Sequence, residues 1–218
     1  MTDRDLQFGL ELERAVDGIR SGLDATNQAR EIALPLSRVA VRCSANCIRA
    51  VHRGEIVDAE KLLKEARSAV EEMAQALCDF PQIDQAGFVH DAQKEYAEAA
   101  ITLALIVGRD LPTVDELGIR GTSYLHGLAE AIGELRRHVL DSLRIEKLER
   151  CETLLDRMDD IYGLLVTIDY PDAMTGNLRR ATDVARSILE RTRGDLTLAA
   201  QQQRLARRFA AFENGSID

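Results

Sequence analysis

The chain has 218 residues, of which 45% are hydrophobic and 30% charged, as in ordinary water-soluble globular proteins. Aromatic residues make up 4%, Trp is absent and Pro numbers 4, so a composition rich in Ala, Leu, Arg and Glu favours an all-α protein. The formal net charge of −9 argues against a general nucleic-acid binder, unless an acidic outer surface encloses a basic interior or groove.

The sequence shows no targeting or membrane-spanning segment. The N-terminal stretch MTDRDLQFGLELE is charged and lacks the apolar core of a signal peptide. The longest apolar run, near residues 99–107, is shorter than the ~18 residues that a membrane span needs. The four cysteines form no C-x-x-C pair. We therefore expect a soluble, cytoplasmic protein without a membrane partner.

Apolar residues recur at helical spacing along most of the chain. Residues 3–53 are predicted to form one long helix or two in series, because Pro35 interrupts the pattern and Gly54 follows as a stop. Further helices are predicted at about 56–79, 88–107, 122–144, 145–165, 173–193 and 195–212. Residues 213–218 are expected to be a frayed tail. No repeat or linker divides the chain, so we predict one domain of about seven helices over residues 1–218.

Two of the predicted helices carry paired carboxylates. Glu130 and Glu134 are four residues apart and share one helix face, on which Gly127 lies one turn earlier without a side chain. Glu95 and Glu98 are three apart, just before the fully apolar half of the 88–107 helix. Such pairs are ordinarily solvated faces of an acidic chain. Four carboxylates without histidine nevertheless suit a hard cation, Mg²⁺ or Mn²⁺.

Other chemistries lack their sequence signatures. The chain contains no P-loop and no G-x-G-x-x-G motif. None of its four histidines follows a glutamate by three residues, which excludes the ligand motif of ferritin-like di-iron bundles. Scattered histidines and unpaired cysteines argue against a zinc site. Arg136 and Arg137 follow Glu134 closely, where they could bind a phosphodiester or simply pair with acidic residues on the same helix.

Four sequence blocks resemble the translin family, and especially its translin-associated factor X branch. They are YLHGLAEAIGELRR (124–137), LSRVAVRCSANCIRAVHRGE (36–55), AQKEYAEA (92–99) and RMDDIYGLL (157–165). The resemblance covers about residues 30–195. It implies a seven-helix α fold that assembles into a hollow homo-oligomer, expected to be an octamer, which binds single-stranded RNA inside the shell, with single-stranded DNA as a further expected ligand.

The resemblance also implies a Mg²⁺-dependent endoribonuclease site. Its four acidic positions, catalytic and metal-binding, correspond here to Glu95, Glu98, Glu130 and Glu134. Position 130 carries Glu where active members commonly carry Asp, and Pro35 is a second departure. The basic inner lining that would contact RNA is assigned to nine residues: Arg38, Arg42, Arg49, His52, Arg53, His90, Lys94, Arg136 and Arg137.

Three functions remain open from the sequence. The first is an RNA-cleaving enzyme, which the complete acidic quartet favours. The second is a shell that binds single-stranded nucleic acid without cutting it. The third is a helical scaffold whose acidic faces are merely solvated, and the combination of Glu-Tyr-x-Glu with Gly-Glu-Leu-x-Arg counts against it.

Overall fold

The structure is a computed structural model that describes residues 3–145 and 148–213, with side chains for residues 7–145 and 148–212. Every regular element in this part of the chain is helical. The long helices are α1 (Asp3–Arg53), α2 (Ile56–Leu77), α4 (Gly87–Val107), α6 (Gly121–Leu143), α7 (Leu148–Val166) and α9 (Leu178–Glu213). Single helical turns in the connectors form α3 (Pro81–Asp84), α5 (Val114–Leu117) and α8 (Asp172–Thr175).

The all-α prediction is confirmed, and the main difference in helix number lies in the short turns. Among the described residues there are six long helices and three turns, against about seven helices predicted. Residues 214–218, the greater part of the predicted frayed tail, lie outside the described residues, as do 146 and 147 at the predicted start of α7.

Helix α1 runs without interruption through Pro35. A proline inside a helix removes one backbone hydrogen bond and costs about 3 kcal/mol. Packing offsets this cost, because Ala33 and Ala40 are fully buried on either side of the proline, where α1 packs against α2 and α4. Of the two predicted possibilities for residues 3–53, the structure therefore shows one long helix rather than two in series.

The prediction of two C-terminal helices, 173–193 and 195–212, is wrong. The Asp172–Thr175 turn ends at Gly176 and Asn177, both with positive φ, and one continuous helix then begins at Leu178. Gly194 does not break that helix. A helical glycine costs only about 1 kcal/mol relative to alanine, and burial of Thr192 and Leu196 on its two sides holds the helix together.

The core lies where α4 and α6 pack against their neighbours. Helix α4 contacts α1, α2 and α6, while α6 also contacts α7 and α9. The second half of α4 is buried almost all round, as its continuous apolar sequence predicts. The buried side chains of α1, α2, α4, α6, α7 and α9 form one hydrophobic cluster.

Four of the long helices run in the same direction. Contacts along these helices, and just before α4 and α9 begin, follow chain order: Thr26 with Gln82, His52 with Glu134, His90 with Ser123, Lys94 with Glu130, His126 with Thr175, and Arg136 with Asp195. Helices α1, α4, α6 and α9 are therefore parallel. The start of α1 and the end of α9 consequently lie at opposite ends of the bundle.

Within the described residues, no helix is both long enough and apolar enough to cross a lipid bilayer.

Candidate metal centre

The close approach of α4 and α6 is set by a glycine. A Cβ atom added to Gly127 would lie 2.6 Å from the Cβ of Ala97 and 3.0 Å from the backbone nitrogen of Glu98. No side chain fits there without moving the backbone of one helix. The absent side chain noted in the sequence is therefore what lets the glutamates of the two helices meet across this contact.

Three of the four predicted carboxylates converge at this contact. One carboxylate oxygen from each of Glu95, Glu98 and Glu130 lies within 4.8 Å of the other two. Glu98 is buried, while Glu95 and Glu130 are partly exposed. The centre thus has one ligand in the protein interior and two at its opening. An approaching cation would be reached first by the two outer carboxylates.

The ammonium group of Lys94 lies between the two outer carboxylates. Its Nζ is 2.8 Å from Oε2 of Glu130 and 3.4 Å from Oε1 of Glu95. The structure joins Lys94 to the acidic residues, and its predicted contact with RNA stays a prediction. Because it neutralises part of their charge, a divalent cation would compete with this ammonium for the same oxygens.

Burial and neighbouring charge act together on Glu98. Desolvation, followed by the nearby charges of Glu130, Glu95 and Glu134, raises the pKa of its carboxyl to about 8, against a smaller lowering by Lys94. At neutral pH this carboxyl therefore holds a proton. A bound divalent cation would favour the ionised form, so that binding would release the proton.

Glu134 lies beside this group and is held by a histidine. Its Oε2 is 2.6 Å from Nε2 of His52, whose side chain is 4% exposed. Hydrogen bonding to His52 lowers the pKa of the Glu134 carboxyl, assisted by the charges of His52 and Arg137. The carboxylate is therefore the acceptor, and Nε2 of His52 carries the proton. Nδ1 of His52 is buried without a hydrogen-bond partner among the described residues.

A second polar network lies between α4 and the start of α6. The backbone nitrogen of Arg120 and Oγ of Ser123 both donate to Oε1 of Gln93. Since the hydroxyl hydrogen of Ser123 is used there, Nδ1 of His90 donates to Oγ of Ser123 at 2.9 Å. His126 stands edge-on to His90, with ring centroids 5.1 Å apart. Sequence analysis assigned no role to Gln93, Ser123 or His126, although Gln93 and His126 lie within blocks that carry the family resemblance.

The arginines predicted to line an interior fall into two groups. Those on α1 are exposed: Arg38, Arg42, Arg49 and Arg53. Arg137 on α6 is also exposed.

Arg136 differs from the other predicted arginines. Its guanidinium donates to Oγ1 of Thr192 at 3.0 Å and to Oδ2 of Asp195 at 2.8 Å, both on α9. These bonds tie α6 to α9, and the contact of Arg136 with RNA stays a prediction.

The donor set fits a hard divalent cation. It consists of carboxylate oxygens, the ligands that Mg²⁺ and Mn²⁺ prefer, and it leaves one side open to water or substrate. Glu95, Glu98 and Glu130 are the residues that would hold the ion. Glu134 stands next to them as a fourth carboxylate whose orientation is fixed by His52.

The chain resembles known proteins both in sequence and in structure. No protein-family model matches it. An uncharacterised protein of Methanocaldococcus jannaschii is 34% identical over 181 residues, which cover 82% of this chain and 80% of that protein.

Solved structures extend the likeness to the fold. AfC3PO in complex with duplex RNA is 31% identical with a TM-score of 0.81, and the match covers 86% of this chain and 97% of that one. AfC3PO alone gives 31% identity and a TM-score of 0.80, over 86% of this chain and 98% of that one. The fold is shared also with apo-NeC3PO, at 19% identity and a TM-score of 0.75, over 84% and 96% of the two chains. The protein therefore belongs to the translin family, to which the C3PO proteins belong.

Proposed function

We propose that this protein is an RNA-binding homo-oligomer, expected to be an octamer, that cleaves RNA with a divalent cation held by Glu95, Glu98 and Glu130. The observation that carries the proposal is the convergence of these three carboxylates, within 4.8 Å of one another, at the contact between α4 and α6. The bound RNA in the related AfC3PO complex supports RNA as the substrate class.

Each side chain of the centre has a separate task in this proposal. Glu98 holds its oxygen in the buried part of the centre, while Glu95 and Glu130 close the coordination at the opening. A bound Mg²⁺ or Mn²⁺ would supply the charge that activates water and stabilises the phosphate in the transition state. Glu134, oriented through Oε2 by His52, offers Oε1 as an acceptor for a water proton.

Lys94 changes partner in this scheme. With the cation bound, its ammonium is no longer needed between Glu95 and Glu130. From the same place on α4 it can contact a phosphate of the RNA at the opening of the centre. The exposed arginines of α1 and Arg137 are proposed as further phosphate contacts, which predicts that affinity for RNA falls as salt rises.

A binding shell without cleavage is the second candidate, and one observation favours it. The ion pairs of Lys94 already neutralise part of the acidic group without any metal. If this arrangement persisted with RNA bound, the carboxylates would serve only to order Lys94. The two candidates make opposite predictions about metal dependence.

Incubation of the purified protein with end-labelled RNA tests the proposal. We expect cleavage with Mg²⁺ or Mn²⁺, none with EDTA, and binding that weakens between low and moderate salt. Binding without cleavage in every metal would refute the enzyme and support the shell. The expected preference for single strands needs its own test, because the related AfC3PO complex contains duplex RNA. Parallel binding reactions with single-stranded and duplex RNA provide it. Equal affinity for both forms would contradict that preference.

A further inference from the structure

The two longest helices end in exposed arms. We define the N-terminal arm as residues 7–25 of α1 and the C-terminal arm as residues 197–212 of α9. Every residue from 10 to 25 is exposed, and the first buried residue of α1 in the part with described side chains is Ala29. At 1.5 Å per residue, this exposed stretch alone extends about 24 Å. A helix of this length without packing partners is marginal in water, so a stable arm needs a surface to pack against.

Each arm carries an apolar stripe with the spacing of a coiled coil. In the N-terminal arm the stripe residues follow one another at intervals of four, three and four: Leu12, Val16, Ile19 and Leu23. In the C-terminal arm the intervals are seven, four and three: Leu198, Leu205, Phe209 and Phe212. All eight side chains are between 41% and 73% exposed. Alternating intervals of three and four place apolar side chains on one seam that packs against a second helix.

The two arms carry opposite charge. The N-terminal arm has four acidic and two basic residues, a formal charge of −2: Glu11, Glu13, Arg14, Asp17, Arg20 and Asp24. The C-terminal arm has three arginines and no acidic residue, a formal charge of +3: Arg204, Arg207 and Arg208. All three arginines are exposed. Two N-terminal arms, or two C-terminal arms, would repel each other, whereas unlike arms attract.

The position of the arms prevents them from pairing within one chain. Because α1 and α9 run in the same direction, their free ends project from opposite ends of the bundle. The two arms can therefore meet only when they come from different molecules. A contact between unlike surfaces at opposite ends is heterologous, and such contacts build closed rings when the rotation between subunits closes.

We propose that the N-terminal arm of one subunit packs lengthwise against the C-terminal arm of a second copy of this chain. This pairing buries both apolar stripes and sets acidic residues beside arginines. The inference deepens the oligomer of the proposed function by naming the surfaces that join its subunits, and it depends on that oligomer forming.

A charge-reversal cycle tests the pairing in the full-length protein. Glu13→Arg with Asp24→Arg changes the N-terminal arm to +2, and Arg204→Glu with Arg208→Glu changes the C-terminal arm to −1. Either pair alone gives arms of like sign, and we expect the molar mass measured by light scattering at micromolar concentration to fall at least twofold. All four substitutions together restore opposite signs and should restore the mass.

Two further variants separate the pairing from other effects. Lys61→Glu with Arg157→Glu changes the total charge as much as the C-terminal reversal does, on exposed residues of α2 and α7, and should leave the mass unchanged. Ile19→Ser with Phe209→Ser removes apolar contact without altering charge and should lower the mass. Reversals that keep the wild-type mass, or a fourfold variant that stays dissociated, would overturn the inference, as would a monomeric wild type.

The assembly measurement is independent of the RNA assay. A protein that assembles through other surfaces and still cleaves RNA would overturn the arm pairing and leave the proposed enzyme intact. A protein whose assembly follows the charge cycle but which neither binds nor cuts RNA would support the arm pairing and overturn the proposed enzyme.

Discussion

Replacing Glu98 with glutamine should stabilise the protein while abolishing its cleavage of RNA. Glu98 is 8% exposed, and burial together with neighbouring carboxylates raises the pKa of its carboxyl from 4.5 to about 8. The folded chain therefore binds more protons than the unfolded chain between these two values. Stability then falls as the pH rises through this window, because the native state must give up a proton that it holds tightly.

The size of the effect follows from the same two pKa values. A shift of one unit corresponds to about 1.36 kcal/mol, so the wild type loses on the order of 3–4 kcal/mol of unfolding free energy between pH 5 and pH 8. Glutamine has nearly the same shape and does not titrate. A buried amide without hydrogen-bond partners costs about 1–3 kcal/mol, which leaves a net gain of up to about 3 kcal/mol at pH 8.

Urea unfolding in EDTA at pH 5, 6, 7 and 8, at one fixed protein concentration, measures the difference. The difference in unfolding free energy between Glu98→Gln and the wild type should grow with pH. The same difference for Glu72→Gln, at an exposed residue of α2, should not change with pH. Mg²⁺ added at pH 8 should stabilise the wild type and leave Glu98→Gln unchanged. A gap that does not widen with pH would refute the account of this carboxyl.

Two further substitutions test the geometry around the centre. Gly127→Ala should destabilise the protein by about 1–3 kcal/mol and lower the rate of RNA cleavage, because its Cβ would lie 2.6 Å from that of Ala97. Urea unfolding compares this variant with Gly163→Ala, whose Cβ would meet no atom within 4 Å and which should be neutral or stabilising. Glu134→Gln should leave folding, assembly and RNA binding nearly intact and lower the cleavage rate by about 10²–10³, equivalent to ~3–4 kcal/mol, in single-turnover reactions. Unchanged cleavage in Glu134→Gln would remove this residue from the site.

Helical periodicity predicted the fold well where long apolar stripes and glycine stops coincide. The predicted bounds of α2, α4 and α6 differ from the observed ones by at most two residues. The errors arise where local signals are weaker than packing. Gly194 is typical of a helix end in the sequence, but the helix continues through it because its neighbours Thr192 and Leu196 are buried. The C-terminal helix was predicted to begin at 173, five residues too early, because the sequence does not show that Gly176 ends the turn of α8 before the helix starts at Leu178.

The acidic pairs could be predicted because their members are close in sequence. Spacing of three or four residues puts two carboxylates on one helix face, and the family resemblance joined the two faces into one site. The partners of those carboxylates could not be predicted. His52 and Glu134 are 82 residues apart, and only the packing of α1 near α6 brings the ring to the carboxylate. The contact of Lys94 with Glu130 likewise depends on the approach that Gly127 allows.

The rate of RNA cleavage by Glu130→Gln, compared with Glu72→Gln, tests the central claim most directly. Both variants lose one negative charge by the same substitution, but only Glu130 belongs to the three converging carboxylates. With saturating protein and Mg²⁺, we expect Glu72→Gln to cleave at the wild-type rate and Glu130→Gln to be slower by about 10²–10³, as expected when metal-assisted stabilisation of several kcal/mol is lost. Equal rates for the two variants, with cleavage still dependent on Mg²⁺, would contradict the assignment of the metal centre.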